Sequence, residues 1–440
     1  MFEEKLRIKG AKSLGGEVKI SGAKNAVLKE MAAALILPKG KSILRNVPDL
    51  SDVNSMIEIM SLLGADVDYN GSVLEIDSTH LSSDLVPIEL ARKLRASFVC
   101  LGALVARFKK AQVALPGGCD LGARKVDLHL KGLRALGVTI REEQGYIFAE
   151  AEKLIGTKIY LDLPSNGATE NIMLAACLAE GETIIENAAR DPEIVDLANF
   201  LNSIGCKVSG AGSSNIQIQG VTLEDLHETD FDCLPDRIEA ATYLIAAAMT
   251  KGKVRVNAVL EEDLQALLSK LEDTGVDIQI FNAEKNLVDI LINAENKDLG
   301  ATDVKTMWYP GFSTDIQPIF SALLCVCKGT STVVENIYNS RFQHIEELHK
   351  MGAKADVNGE VAVINGVESL SGTQVEGRDL RATAALVVAA LAAEGVSEVR
   401  GLKHLDRGYE HIVEKFKALG ADIERVSDIV TETDEAVAAK

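Results

Sequence analysis

Six phrases of one design punctuate the sequence: LLGADV at 62–67, ALGVTI at 135–140, SIGCKV at 203–208, DTGVDI at 273–278, KMGAKA at 350–355 and ALGADI at 418–423. Their shared glycines are Gly64, Gly137, Gly205, Gly275, Gly352 and Gly420, spaced 73, 68, 70, 77 and 68 residues apart. So regular a period marks a repeat architecture and outranks any single local motif. Working outward from each glycine gives the unit. Upstream lies an amphipathic helix with apolar residues at helical spacing, as in EIVDLANFLNSIG and HIEELHKMG. The glycine is placed to end that helix in a left-handed cap. Downstream a short hairpin follows, as in GADVDYNGSVLEI. Further upstream are a Gly-bounded strand (KSILRNV, ETIIENA, TSTVVENI) and an Ala/Leu-rich helix (NAVLKEMAAALIL, ATENIMLAACLAE, RIEAATYLIAAAM, ATAALVVAALAAE), entered from a small polar loop. Strand and helix alternate within every unit, which excludes a purely helical solenoid. The Ala/Leu-rich helices are apolar nearly all round and are expected to be buried.

The sequence has 440 residues, too many for one ordinary core. The helical pattern breaks near the midpoint, at ETDFDCLPDR (228–237), so six units read as two domains of three. Aromatic residues make up only 4%, consistent with tight packing through small side chains. The formal net charge of −19 argues against a broad surface for nucleic acid or anionic membranes. An anionic ligand must instead find a small pocket of local cations. The opening MFEEKLRIKG lacks the apolar run of a secretory signal, and no stretch reaches 18 uninterrupted apolar residues, so no membrane span is expected. Seven irregularly spaced cysteines fit free thiols in a reducing cytoplasm. The tail VTETDEAVAAK has no core pattern and is expected to fray.

The polar residues that stand out cluster in the loops before the Ala/Leu-rich helices. They are Lys24 and Asn25 in SGAKNA, Arg95 in KLRAS, Ser165 and Asn166 in PSNGATEN, Asp236, Arg237 and Glu239 in LPDRIEA, Thr314 and Asp315 in GFSTDIQ, and Arg378, Asp379 and Arg381 in GRDLRATAA. Ser, Asp and Asn at such places are ordinarily helix caps. A cation there is different, because it opposes the helix dipole and cannot cap. Lys24, Arg95 and Arg381 all sit there, and with Arg124 and Arg407 they make a cation set suited to a doubly charged ligand.

The stretch LPGGCDLGARKVDLH (115–129) sets Cys119 after two glycines, with Arg124 five positions on. Paired glycines give a backbone that bends sharply or moves, so the stretch reads as a mobile loop presenting a thiol beside a cation. With a reference pKa of about 8.5 the thiol keeps its proton at neutral pH and can act as an acid or a nucleophile. Cys100, Cys177, Cys325 and Cys327 lie in apolar runs and read as core thiols, while Cys206 and Cys233 show no activating neighbour. GKS at 40–42 lacks the upstream glycine of a phosphate-binding loop and reads as a turn before a strand. His129 and His404 are isolated and read as structural. No GxGxxG, HExxH or zinc-spaced Cys/His set occurs, so neither metal nor organic cofactor is expected.

SGAKNA, LRAS, LPGGC-x-x-GAR-x-VDLH, ENAARDPEIVDLANFL, LPDRIEA, GF-x-TDIQ, DLRA and LDRGYE, in this order, resemble the UDP-N-acetylglucosamine 1-carboxyvinyltransferase family of enolpyruvyl transferases. The likeness runs from about residue 5 to 425. The sister family, 5-enolpyruvylshikimate-3-phosphate synthase, is similar in its sixfold repeat but does not carry the Cys119 loop. The resemblance implies a two-domain inside-out α/β barrel of six βαβαββ repeats, three per domain. It places 22–232 in one domain and 1–21 with 233–440 in the other. It implies transfer of the enolpyruvyl group of phosphoenolpyruvate to the 3′-hydroxyl of UDP-N-acetylglucosamine with release of phosphate, the first committed step of peptidoglycan synthesis, in the cytoplasm. The alternatives are the shikimate-type reaction and a catalytically silent paralogue that binds a nucleotide sugar.

Carried over position by position, the resemblance makes Cys119 the proton donor to the methylene carbon, also able to hold a covalent adduct, and Asp315 the group that takes the proton from the sugar hydroxyl. Lys24, Asn25, Arg124, Arg381 and Arg407 match contacts to phosphoenolpyruvate. Arg95, Arg124, Lys125, Val126, Asp127, Leu128, Ser165, Asn166, Gly167, Asp315 and Ile337 match contacts to the UDP-sugar. Three positions depart from the family pattern. Leu163 stands where many relatives have lysine, Asn166 where an aliphatic residue is usual, and Ser313 where a proline is frequent, the last implying a looser loop around Asp315.

Overall fold

A computed structural model describes residues 2–116, 126–282, 286–338 and 341–429. The expected tail from 430 onward lies outside them. Among the described residues there are six four-stranded sheets, all built the same way. In one of them, Lys158–Tyr160 runs parallel to Glu182–Glu186, which pairs antiparallel with Asn215–Gln219, itself joined in a hairpin to Lys207–Ser209. Every sheet thus has one parallel pair followed by two antiparallel ones; four of them read first, second, fourth, third strand in chain order, and in the other two a strand from a distant part of the chain, Phe2–Lys9 or Thr229–Asp232, takes one of the places. Burial alternates along the strands, as in Asn215–Gln219 where Ile216 and Ile218 are buried and their neighbours exposed, so one face of each sheet meets the core.

The chain divides into two compact units. One comprises the residues up to Ile20 and those from Asp236 onward; the other comprises the described residues from Ser21 to Pro235. Each unit has three of the sheets and its own apolar core. The centre of the unit 21–235 holds the helices Lys24–Ala34, Cys100–Phe108 and Asn166–Ala176. The other unit holds Arg237–Met249, Gln317–Leu324 and Leu380–Ala392. Every residue of Arg237–Met249 is buried. That is why the Ala/Leu-rich stretches show no polar face: alanines let three helices approach one another with sheets on their outer sides. The amphipathic helices cover the rim, as in Pro192–Ser203, which buries Ile194, Leu197, Ala198 and Leu201.

All six repeat glycines have left-handed backbone, with φ of 100, 95, 104, 97, 92 and 91° in chain order. The period seen in the sequence is therefore the period of a conformation that residues with a Cβ resist. Space differs among them. A Cβ on Gly275 would meet nothing within 4 Å, whereas one on Gly205 would lie 2.4 Å from the Asp225 carbonyl oxygen. Gly275→Ala is expected to cost about 1–2 kcal/mol of stability, the strain alone. Gly205→Ala should cost clearly more, because backbone must also move. Thermal denaturation of the pair checks this, and equal losses would refute it.

Two strands come from afar. Gly15–Lys19 is the parallel edge strand against Lys253–Val259, and Thr229–Asp232 is the parallel edge strand against Lys41–Arg45. Each then leads into a central helix of the other unit. The two crossing segments are bridged at Gly22 and Pro235, and the Ala23 N–H donates to the Leu234 carbonyl at 2.8 Å. The break at ETDFDCLPDR is this edge strand and the crossing after it. Beside it the Cys233 thiol donates to buried Glu30 at 2.7 Å. Burial first, and then neighbouring Asp196, push the Glu30 carboxyl well above its ordinary range. Burial also pushes Cys100, Cys325 and Cys327 up to about 12, as suits core thiols.

Candidate active site

The three cations expected at helix starts are found there. Lys24 is the first residue of Lys24–Ala34, Arg95 opens the 3₁₀ turn Arg95–Val99, and Arg381 is the second residue of Leu380–Ala392. In the unit 21–235, Lys24 is mostly buried, with its Nζ 3.3 Å from Asp52 on the rim helix Ser51–Leu63. Asn25, next along, is half-buried and gives its carbonyl oxygen to Lys29.

Ser165 behaves as a cap, its Oγ accepting the Ala168 N–H at 3.4 Å. Asn166 and Gly167 form the first turn that follows, Asn166 exposed and Gly167 half-buried. Gly167 has a further role. A Cβ there would lie 2.7 Å from the His129 ring, so glycine lets that imidazole lie against the helix start. His129 Nδ1 is 2.8 Å from Asn171 Nδ2, and its ring meets Phe98 edge-on. Burial, helped by Arg95, pushes His129 down to about 3. A neutral imidazole accepting from Asn171 fits the structural role read from sequence.

Val126 and Leu128 are half-buried and Asp127 exposed, at the start of the helix Asp127–Ala135. Leu163 is 55% exposed just ahead of the Ser165 cap. Cys119, Arg124 and Lys125 lie outside the described residues.

In the other unit the polar residues converge. Asp315 precedes the helix Gln317–Leu324 but does not cap it. Its Oδ1 is 2.7 Å from Arg341 Nη1, and its Oδ2 is 3.2 Å from both Nε and Nη2 of Arg381. The two guanidinium groups are only 4% and 3% exposed, while the Asp315 side chain is 28% exposed. The carboxylate is thus an open end backed by two buried cations. Arg381 also donates to Tyr409 Oη at 3.3 Å, and that hydroxyl is 2.8 Å from Thr242. Burial opposes the charge on Arg381, but Tyr409, Asp315 and Asp236 outweigh it and hold the guanidinium above its ordinary range. Asp236 and Asp379 act as caps of their helices, the ordinary reading for those two. Ser313 ties the loop that proline would have stiffened, since its Oγ accepts the Asp315 N–H at 3.2 Å. Arg407 is half-buried in the turn after Leu402–Leu405.

Ile337 follows buried Glu335, which accepts the N–H groups of Ile337 and Tyr338 at 2.9 and 3.1 Å. Arg341 and Glu335 were not singled out by sequence. The only signal for Arg341 is an arginine at the mouth of the amphipathic helix Gln343–Lys350, in a stretch without a motif.

Full-length relatives decide the kinship. A UDP-N-acetylglucosamine 1-carboxyvinyltransferase 2 from Carboxydothermus hydrogenoformans is 49% identical over 425 residues, 97% of this chain and 100% of its own. Another from Caldanaerobacter subterraneus is 48% identical over 96% of this chain and 99% of its own. The chain belongs to the UDP-N-acetylglucosamine 1-carboxyvinyltransferase family. Residues 8–416 also match the broader EPSP synthase (3-phosphoshikimate 1-carboxyvinyltransferase) family. The enolpyruvyl transferase NikO from Streptomyces tendae has the same fold, with a TM-score of 0.87 at 26% identity over 98% of this chain and 100% of that one. Carboxyvinyltransferase family membership accords with the two-domain α/β fold of six repeats. Among the described residues no helix is long and apolar enough to cross a membrane, and no cluster of three metal-ligating side chains occurs.

Proposed function

We propose that this protein transfers the enolpyruvyl group of phosphoenolpyruvate to the 3′-hydroxyl of UDP-N-acetylglucosamine, releasing phosphate, in the first committed step of peptidoglycan synthesis in the cytoplasm. The geometry that carries the proposal is Asp315, an accessible carboxylate fixed by the buried guanidiniums of Arg341 and Arg381. In this reading Cys119 gives a proton to the methylene carbon of phosphoenolpyruvate, leaving positive charge on the adjacent carbon. The sugar oxygen attacks that carbon while Asp315 takes the hydroxyl proton. The tetrahedral adduct then loses a proton from the new methyl group and expels phosphate, regenerating the double bond.

Lys24, Asn25, Arg124, Arg381 and Arg407 hold the phosphate and carboxylate of phosphoenolpyruvate. Arg95, the segment Arg124 to Leu128, Ser165 to Gly167, Asp315 and Ile337 hold the nucleotide sugar. An acid, a base and fixed cations supply the chemistry, so the proposal invokes neither metal nor organic cofactor.

A phosphate-release assay tests it. Release is expected only when phosphoenolpyruvate and UDP-N-acetylglucosamine are both present, and not when shikimate 3-phosphate replaces the sugar. Release with shikimate 3-phosphate would favour the sister chemistry. Tight binding of the UDP-sugar with no product at saturating substrates would favour a silent paralogue.

A further inference from the structure

Glu335 is fully buried at the end of the strand Thr330–Val334. Burying a carboxylate is costly unless its lone pairs are filled. Here Oε1 accepts from the Thr306 hydroxyl at 2.8 Å and from the Ile337 and Tyr338 N–H groups, and Oε2 accepts from the Thr314 hydroxyl at 2.9 Å. These donors come from three stretches of chain. One of them is the neighbour of Asp315, and another is the backbone of Ile337. Thr314 has a single proton and spends it on Glu335. Its oxygen must therefore accept from Arg341 Nη1, which lies 3.0 Å away and also touches Asp315.

We infer that Glu335 is a positioning residue: through Thr314 it seats Arg341 against Asp315, and through the Ile337 amide it fixes a second wall of the same site. This rests on the role given to Asp315 above, and deepens it. Glutamine at 335 has the same shape but brings an NH₂. If that group faces Thr314, the hydroxyl can only accept from it as it does from Arg341, so the Thr314 proton loses its carboxylate acceptor and the hydroxyl is no longer held in one orientation. Arg341 loosens, and its hold on Asp315 weakens. Among the described residues, the charged groups bonded to Asp315 include Arg341 and Arg381, with Tyr409 and Asp236 behind Arg381.

The test compares Glu335→Gln and Thr314→Val with the unaltered protein in two ways. The first is the pH profile of kcat and the KM for UDP-N-acetylglucosamine. The second is an NMR titration of the Asp315 carboxyl carbon, assigned by its loss in Asp315→Asn, which needs no substrate. The inference expects a fall in kcat of about 10- to 100-fold and a rise in KM for Glu335→Gln. Both the acidic limb of the profile and the Asp315 midpoint should move up by about one pH unit. Thr314→Val should reproduce the midpoint shift, and the double variant should show no further shift, since both act on one chain of contacts. Folded Glu335→Gln with an unmoved Asp315 midpoint overturns the inference. If Glu335→Gln does not fold, an unmoved midpoint in Thr314→Val overturns it equally. Absence of phosphate release by the unaltered protein counts against the enzymatic reading alone, and the carboxyl titration still decides the contact chain.

Discussion

Asparagine in place of Asp315 is expected to lower kcat by roughly 10²–10⁴-fold, the usual worth of a positioned proton acceptor. The amide has no basic oxygen for the sugar hydroxyl, and its NH₂ would face Arg341 or Arg381, which have only donors to offer. Binding of the UDP-sugar should weaken far less than turnover falls, because Asp315 is one of many contacts proposed for it. Calorimetry with the sugar nucleotide, alongside phosphate release, separates the two effects. A variant within a few-fold of the unaltered kcat would remove Asp315 from the chemistry. A loss confined to KM would make it a binding group only.

Alanine in place of Cys119 is expected to be as damaging, again roughly 10²–10⁴-fold in kcat, through loss of the proposed proton donor. The two variants differ in a second observable. Incubation of the unaltered protein with phosphoenolpyruvate should add the mass of one phosphoenolpyruvate to the intact chain, as the thiol sulfur bonds to the substrate's central carbon. Cys119→Ala should show no such addition, while Asp315→Asn should retain it. Full activity in Cys119→Ala would discard the acid assignment. The contrast has a physical basis in the other cysteines. Cys100, Cys325 and Cys327 are buried, with thiols pushed up to about 12, and are unfit to compete for the substrate.

What the sequence disclosed and what it hid follow from distance along the chain. The six glycines were readable because each needs one backbone conformation and recurs with the repeat. Lys24, Arg95 and Arg381 were readable because a cation at a helix start offends a local rule. The edge strands Gly15–Lys19 and Thr229–Asp232 were not assigned to their sheets, because partners some two hundred residues away leave no periodic trace. Glu335 was hidden because its partners, 29 and 21 residues back along the chain, leave no local motif either. In VENIYNSRF it is one acidic residue after a strand, and its meaning appears only when Thr306 and Thr314 fold against it.

The strand pairing of the N-terminal segment bears on how the chain is made. Leu6 pairs with Val399 and Arg425, so a ribosome adding about 5–20 residues per second exposes Phe2–Lys9 for roughly 20 to 80 s before either partner emerges. The segment 21–235 meanwhile contains all the pairings of its own three sheets and can mature during that wait. Five of the eight residues in FEEKLRIK are charged, and charge flanking Leu6 and Ile8 is a natural guard against illicit association of an unpartnered nascent strand.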